Sequence, residues 1–359
     1  MNAPRMRVVQ ELAIPSTDVA PFTRPYAFAR DRRGNLWVTE LEEHTVYVFD
    51  STGRFLGRHG RRGRGPGEFE TPAFMGMLGD SVWVSDEGLR RVVWFGFDGK
   101  HLHTEPWSSP MHPPLMPGAI RAVFSDGTGA ALAQVFAQSL GDGSVTALPL
   151  FHLSPDGAVL DTLATLSDHH STLMLRSADR QTFTGQPFGG SDTAAAFPDG
   201  SGIVVVTMVL DHESGTVPVK VSRMSPDGVV RWTRTLELGA TPVRGAEVDS
   251  AVSDIAASFR GYGASYTESD VRKVLFVPRF HWPVDGLLAS ADGSVLMKRS
   301  IPEHGQRVWL VLDPQGVPSV TFAVDTAVSL RWADGHHLWG VRRDSLDVPT
   351  LVRYRLAAP

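Results

Sequence analysis

The chain has 359 residues, no Cys, 35 Gly and 25 Pro, with 42% hydrophobic and 20% charged side chains and a formal net charge of −5. That apolar content suffices for a large core and excludes a disordered chain. The lack of Cys excludes disulfides, thiol catalysis and Cys-ligated zinc, and the mild acidity gives no electrostatic reason to bind nucleic acid or an anionic membrane.

No run reaches the roughly 18 apolar residues of a membrane span. The opening Met1-Asn2-Ala3-Pro4-Arg5-Met6-Arg7 lacks the apolar centre of a signal peptide. As written the chain reads as cytoplasmic, or as exported if a signal has been removed. The first strand-like run is Val8-Val9-Gln10-Glu11-Leu12-Ala13-Ile14. Beyond it, a tight turn before an apolar strand recurs six times. The copies are Gly34-Asn35 before Leu36-Trp37-Val38, Asp80-Ser81 before Val82-Trp83-Val84, and Asp126-Gly127 before Ala131-Leu132-Ala133. They continue with Asp199-Gly200 before Ile203-Val204-Val205-Val206, Asp292-Gly293 before Val295-Leu296-Met297, and Asp334-Gly335 before Leu338-Trp339-Gly340-Val341. A second turn series interleaves at Ser51-Thr52-Gly53, Asp98-Gly99, Asp156-Gly157, Asp227-Gly228 and Gln315-Gly316. Asp-Gly between apolar runs is a hairpin signal, because Gly takes φ > 0 at no steric cost.

Each repeat therefore reads as four antiparallel strands, A to D, and six of them predict an all-β, six-bladed β-propeller over 1–359 as one domain. The last repeat stops after its third strand, Thr350-Leu351-Val352-Arg353-Tyr354. Val8–Ile14 is expected to supply the missing outer strand, which closes the ring and leaves no bare edge.

The segment Gly63-Arg64-Gly65-Pro66-Gly67-Glu68-Phe69-Glu70-Thr71-Pro72, with Phe49-Asp50 and the Leu-Trp-Val strand, resembles the linker between blades of NHL-type six-bladed propellers; the resemblance covers residues 25–100. It implies the same fold and a function among those such propellers serve: scaffold, ligand binder, lactonase or lyase. For the enzymes it implies a metal site built from several inner-strand carboxylates and amides. It also implies a structural role for the repeated acids Glu40 and Asp86.

The A–B and C–D turns are short and share one face, whereas the B–C loops and D–A crossovers on the other face are expected to be long and varied, as binding loops on a rigid scaffold are. Three crossovers stand out: Thr104 to Gly118 with Trp107 and His112, Ser167 to Ser191 with Asp168-His169-His170, and Ala240 to Pro283. In the third, Val248, Val252, Ile255 and Phe259 recur at spacings of four, three and four, which predicts an amphipathic helix. Thr267 with Asp270 can cap a second helix carrying Val271, Val274 and Leu275. This helical insertion, about 241–280 between blades 4 and 5, reads as a lid over the open face or as a plug filling space there.

The start of strand A lines the channel. Asp192 and Asp285 stand seven residues before their A–B Asp-Gly turns on adjacent blades, where the other blades have Tyr26, Ala119 and Ala327. Two carboxylates so placed suit a divalent cation, Ca or Zn, or an acid–base pair, with His281 as a proton carrier; they serve equally as caps on loop N–H groups. At the end of strand B, Arg299 and Arg342 suit a ligand's carboxylate or phosphate, and Glu40 and Asp86 stand at the same depth; together they also read as a salt-bridge belt. His44, His112, His169, His170, His212, His281 and His304 fall on the long-loop face without a zinc-ligand spacing. No nucleophile elbow or phosphate-binding loop is present. The expectation is a propeller that binds a small molecule or peptide at the channel mouth through Arg299, Arg342, Glu40, Asp86, Trp107 and His112. The alternative is a lactonase-like, metal-dependent hydrolase or lyase using Asp192 and Asp285. A scaffold is the third reading; a monomer is expected.

Overall fold

Strands of two kinds build the molecule. Those with unbroken apolar runs, such as Leu36–Glu40 and Thr45–Phe49, are buried at every position. A strand buried on both faces must lie between two other layers. Those with alternating burial, such as Phe55–His59, face solvent on one side. A radial stack of sheets satisfies both kinds, with B and C strands between neighbouring sheets and D strands at the rim. The computed structural model describes residues 3–107, 115–135, 147–170, 172–176, 181–209, 215–261 and 266–358.

The N-terminal strand β1 (Arg7–Pro15) is followed by blade 1, made of β2 (Pro25–Arg30), β3 (Leu36–Glu40), β4 (Thr45–Phe49) and β5 (Phe55–His59). Blade 2 is β6 (Pro72–Leu78), β7 (Ser81–Asp86), β8 (Arg91–Gly96) and β9 (His101–Pro106). Blade 3 is β10 (Leu115–Val123), β11 (Gly129–Val135), β12 (Ala147–Leu153) and β13 (Val159–His169). A separate hairpin, β14 (Thr172–Arg176) with β15 (Gln181–Gly185), then leads to β16 (Gly190–Ser191), which adds to the edge of blade 3. Blade 4 is β17 (Thr193–Ala196), β18 (Ile203–Met208), β19 (Thr216–Met224) and β20 (Val230–Gly239). The helices α1 (Gly245–Gly261) and α2 (Glu268–Val274) precede blade 5, which is β21 (Val284–Ala289), β22 (Val295–Arg299), β23 (Gln306–Leu312) and β24 (Pro318–Asp325). Blade 6 is β25 (Val328–Ala333), β26 (His337–Arg343), β27 (Pro349–Ala357) and, outermost, β1.

The ring closes as expected. β1 pairs antiparallel with β27 from Arg7↔Ala357 to Pro15↔Thr350, with a bulge at Glu11. The Glu11 carboxylate lies 2.9 Å from Arg355 and 3.4 Å from Arg353, and Arg30 of blade 1 meets Asp334 of blade 6 at 2.9 Å. Aromatic side chains fill most seams between blades: Trp37, Phe69 and Phe95 between blades 1 and 2, and Trp83, Trp94 and Trp107 between blades 2 and 3.

Two expectations need correction. The long-loop face is less uniform than anticipated, since the B–C connections of blades 1 and 2 are the tight turns 41–44 and 87–90. The Ser167–Ser191 crossover is no plain loop: Leu173 and Leu175 of β14 are buried against Val252, Phe259 and Val271 of the helices. Single alternation over five residues is too short a signal beside the glycines that follow it.

Candidate functional site

The innermost strands enclose a channel of about 550 Å³. Residues of every strand A line it, together with Lys298 of β22 and Arg307 of β23, and the charge is one-sided: Arg121, Lys298, Arg307 and Arg331 are present, and among the described residues no carboxylate lines it. Arg121 of blade 3 lies over the Phe74 ring of blade 2, with Cζ 4.7 Å from the centroid. Arg331 of blade 6 lies over the Tyr26 ring of blade 1 at 5.5 Å. Tyr26 and Phe74 meet edge-to-face with centroids 5.6 Å apart. Four successive blades thus contribute a guanidinium, two rings and a second guanidinium. Each ring presents its electron-rich face or edge to its neighbour.

Crowding by the channel wall lowers the pKa of both Arg121 and Arg331 from the usual guanidinium value, desolvation being the main cause. Both side chains still count as exposed, because the channel itself is open to water. Neither forms an ion pair among the described residues. Lys298 is paired with Asp285 at 3.4 Å, and Arg307 donates to the Ser300 carbonyl at 2.5 Å.

Beside the channel lies a second cavity, a vestibule of about 470 Å³, with which it shares Thr193 and Arg307. This vestibule is walled by the 186–191 segment and by His281, Trp282 and Asp285. His281 Nε2 lies 3.2 Å from Glu247 Oε2 of α1, and its ring tilts against Phe188 at 5.8 Å. The Arg244 backbone N–H, and then His281 itself, hold the Glu247 carboxyl below its ordinary value.

The structure brings His281 and Asp285 together in the vestibule but disperses the other expected site residues. Asp192 is buried; its carboxylate accepts the backbone N–H groups of Ser167 and Met208, both at 2.9 Å. It stitches blade 3 to blade 4, and it lines a different cavity from Asp285. Glu40 and Asp86 do the same work within the first blades. Glu40 accepts from Thr23 at 3.2 Å, Arg24 at 2.7 Å and Glu42 at 3.3 Å; Asp86 accepts from Glu70 at 3.0 Å, Thr71 at 2.9 Å and Leu89 at 3.3 Å. Both are fully buried. A carboxylate at the end of strand B can reach the incoming crossover, and that reach places it away from the channel.

Arg299 and Arg342 do not converge. Arg299 donates to the Gly239 carbonyl at 2.7 Å at the end of blade 4, and Arg342 donates to Gln10 Oε1 of β1 at 2.9 Å. Trp107 is 4% exposed in the seam between blades 2 and 3, so it is packing and not a ligand platform. His112 and His212 lie outside the described residues. His44 Nδ1 bonds the Glu70 carbonyl at 2.7 Å, and His170 stacks on Phe276 at 4.0 Å.

Counting back from the turns reached only Ala119 and Ala327, two and four residues short of Arg121 and Arg331, and strand A is not regular there. β10 is irregular between Pro117 and Ala122, and β25 between Leu330 and Trp332. An added residue changes which face a side chain takes. The readable signal was local: in Val328-Ser329-Leu330-Arg331, polar residues alternate with apolar ones on an innermost strand.

A family model, DUF5128, described as a 6-bladed beta-propeller, matches residues 29–108. No curated protein matches the chain. Among solved structures it is similar to a member of the duf4221 family from Bacteroides vulgatus, with 8% identity, 99% of each chain covered and a TM-score of 0.51. It is similar to the PQQ-bound aldose sugar dehydrogenase of Streptomyces coelicolor, with 14% identity, 99% of this chain and 100% of that one covered and a TM-score of 0.48. It is also similar to regucalcin, a calcium-binding protein of Agrobacterium tumefaciens, with 11% identity, 100% and 98% covered and a TM-score of 0.44. The matched description and the ring of sheets agree: the chain is an all-β, six-bladed β-propeller.

Proposed function

We propose that this protein binds a small organic anion, a carboxylate or a phosphate ester, in its central channel. The observation that carries the reading is the pair Arg121 and Arg331, which face a channel of about 550 Å³ with aromatic rings as their closest company. Two cations drawn partly out of water lose hydration, and among the described residues neither has a carboxylate within ion-pair distance to restore it. An anionic ligand restores it through charge-assisted hydrogen bonds, and a guanidinium presents two parallel donors to a carboxylate or phosphate. The cavity falls within the roughly 300–1,000 Å³ of small-molecule sites, which favours a small molecule over a peptide. Access runs through the vestibule, with α1, α2 and the β14–β15 hairpin as its lid and His281, oriented by Glu247, at its wall. This reading takes the whole chain as one NHL-type domain with the helices inserted, an assignment supported by the 61–69 linker, in which Arg61 pairs with Glu68 at 2.8 Å and Phe69 is buried.

The lactonase-like alternative rests on Asp192 and Asp285, which line different cavities. The Asp192 carboxylate is engaged by backbone N–H groups, and Asp285 faces Lys298. Among the described residues no three His, Cys, Asp or Glu side chains converge as ligands. Among the described residues no helix is long and apolar enough to cross a membrane.

Trp83, Trp309 and Trp332 line the channel and make tryptophan fluorescence the readout. Titration with benzoate, citrate and phenyl phosphate at low ionic strength is expected to give saturable binding that weakens with salt. Arg121→Ala and Arg331→Ala are each expected to weaken it by about tenfold or more, the typical worth of a charged hydrogen bond. Equal binding of benzyl alcohol, or affinities indifferent to both substitutions, would overturn the reading.

A further inference from the structure

The seam between blades 3 and 4 differs from the others. Among the described residues its one fully buried ring is Phe124; the small side chains Ala122, Ala130, Ala164, Ala194 and Ala196 make up much of the rest of the seam. Protein interiors pack densely, so a seam short of side-chain volume leaves space that its neighbours must fill or leave open. Here a side pocket of about 170 Å³ remains, walled by Leu132, Leu150 and Leu166 of blade 3 and by Ala194 and Ala196 of blade 4. It shares Arg121, Thr193 and Ala194 to Ala196 with the channel, so it branches from the channel beside a guanidinium. The polar residues at its edge are already engaged in part: Asp192 accepts two backbone N–H groups.

Resting on the anion-binding reading, we infer that the ligand carries one benzene-sized apolar group next to its anionic group: an arylalkanoate, an aryl phosphate or a short branched-chain carboxylate. The anion sits at Arg121 with Arg331 opposite, and the apolar group enters the pocket between blades 3 and 4. The size argument is direct. An apolar cavity of about 150 Å³ stays dry and accepts benzene. A pocket of about 170 Å³ therefore matches a phenyl ring more closely than a fused bicyclic one. Ala194 and Ala196 set that limit, because strand A of blade 4 is where a larger side chain would occupy the pocket.

The test is a ligand series on the full chain: acetate, phenylacetate and 2-naphthylacetate, followed by calorimetry. Phenylacetate is expected to bind about 10- to 100-fold more tightly than acetate, from the transfer free energy of a phenyl-sized group. It is also expected to bind more tightly than 2-naphthylacetate. In Ala194→Leu the phenylacetate-to-acetate ratio should fall toward one; if that variant does not fold, the size order in the unsubstituted chain decides alone. Equal, salt-sensitive affinities for all three would overturn the side-pocket inference while leaving the anion reading in place. Undetectable binding of all three would overturn both. A tighter fit for the naphthyl compound would overturn the size argument.

Discussion

Asp86 is a buried carboxylate that accepts three backbone N–H groups and has the Arg91 guanidinium 3.8 Å away. Its removal leaves those donors without their acceptor and a largely buried cation, held otherwise by the Arg64, Gly65 and Glu68 carbonyls, without its counter-charge. Loss of one partner of a buried charged pair costs about 3–5 kcal/mol. Asp86→Ala is expected to lower the stability by about 3 kcal/mol, read as a fall in the urea midpoint with an unchanged slope. Glu40 accepts three backbone N–H groups in the same way in blade 1. Burial raises its pKa above the ordinary 4.5, against the lowering pull of the Arg24, Glu42 and Thr23 amides. A carboxyl raised in the fold binds its proton more tightly there than when unfolded, so its contribution to stability grows as pH falls through the folded value and is lost as pH rises. Glu40→Gln removes that linkage. The melting temperature of the unsubstituted protein is therefore expected to rise relative to that of Glu40→Gln from pH 7 to pH 5; a relative fall contradicts the assignment. The repetition of these acids was visible in the sequence, but their partners were not, because the amides come from a crossover 15 to 17 positions earlier.

The helices α1 and α2 were legible from spacing alone, down to the Thr267–Asp270 capping box. Their partner was not. They pack on the β14–β15 hairpin, and Gln186 ties that crossover to α2 by donating to the Val274 carbonyl and accepting the Phe276 N–H, both at 3.2 Å. The cluster of Leu173, Val252, Phe259, Tyr266 and Val271 is separate from the blade seams. Phe259→Ala is expected to cost this unit about 3 kcal/mol. Hydrogen exchange should accelerate in α1, α2 and β14–β15 while β3, β4 and β7 keep their protection, as independent cooperative units do. Uniform acceleration across the blades would show that the cap and the ring unfold together.

The ring depends on a pairing between residues about as distant in sequence as the chain allows, β1 with β27. Because the chain has no Cys, that closure can be locked without competing thiols. Val9 and Arg355 are directly opposed. Facing antiparallel residues have Cα atoms about 4.5–5.5 Å apart, within the range of a disulfide. Val9→Cys with Arg355→Cys is expected to oxidise readily. The oxidised form should exceed the reduced one in stability by up to about 5 kcal/mol, since it constrains a very long loop of the unfolded chain. Equal melting temperatures would mean that the ends already stay paired when the rest of the ring unfolds.

Turn chemistry and hydrophobic alternation act over a few residues, and on those terms the chain alone determined the repeats, their number, the closing strand and the two helices. The candidate site obeyed a different physics. Arg121, Phe74, Tyr26 and Arg331 lie on four separate strands, and small irregularities in β10 and β25 decide which side chains enter the channel. The pocket between blades 3 and 4 is likewise a difference between two packed surfaces, set by alanines that meet only in the ring. Local pattern specifies each blade because its interactions are local; the chemistry at the axis is decided only when six blades converge and their inward side chains share one enclosed space.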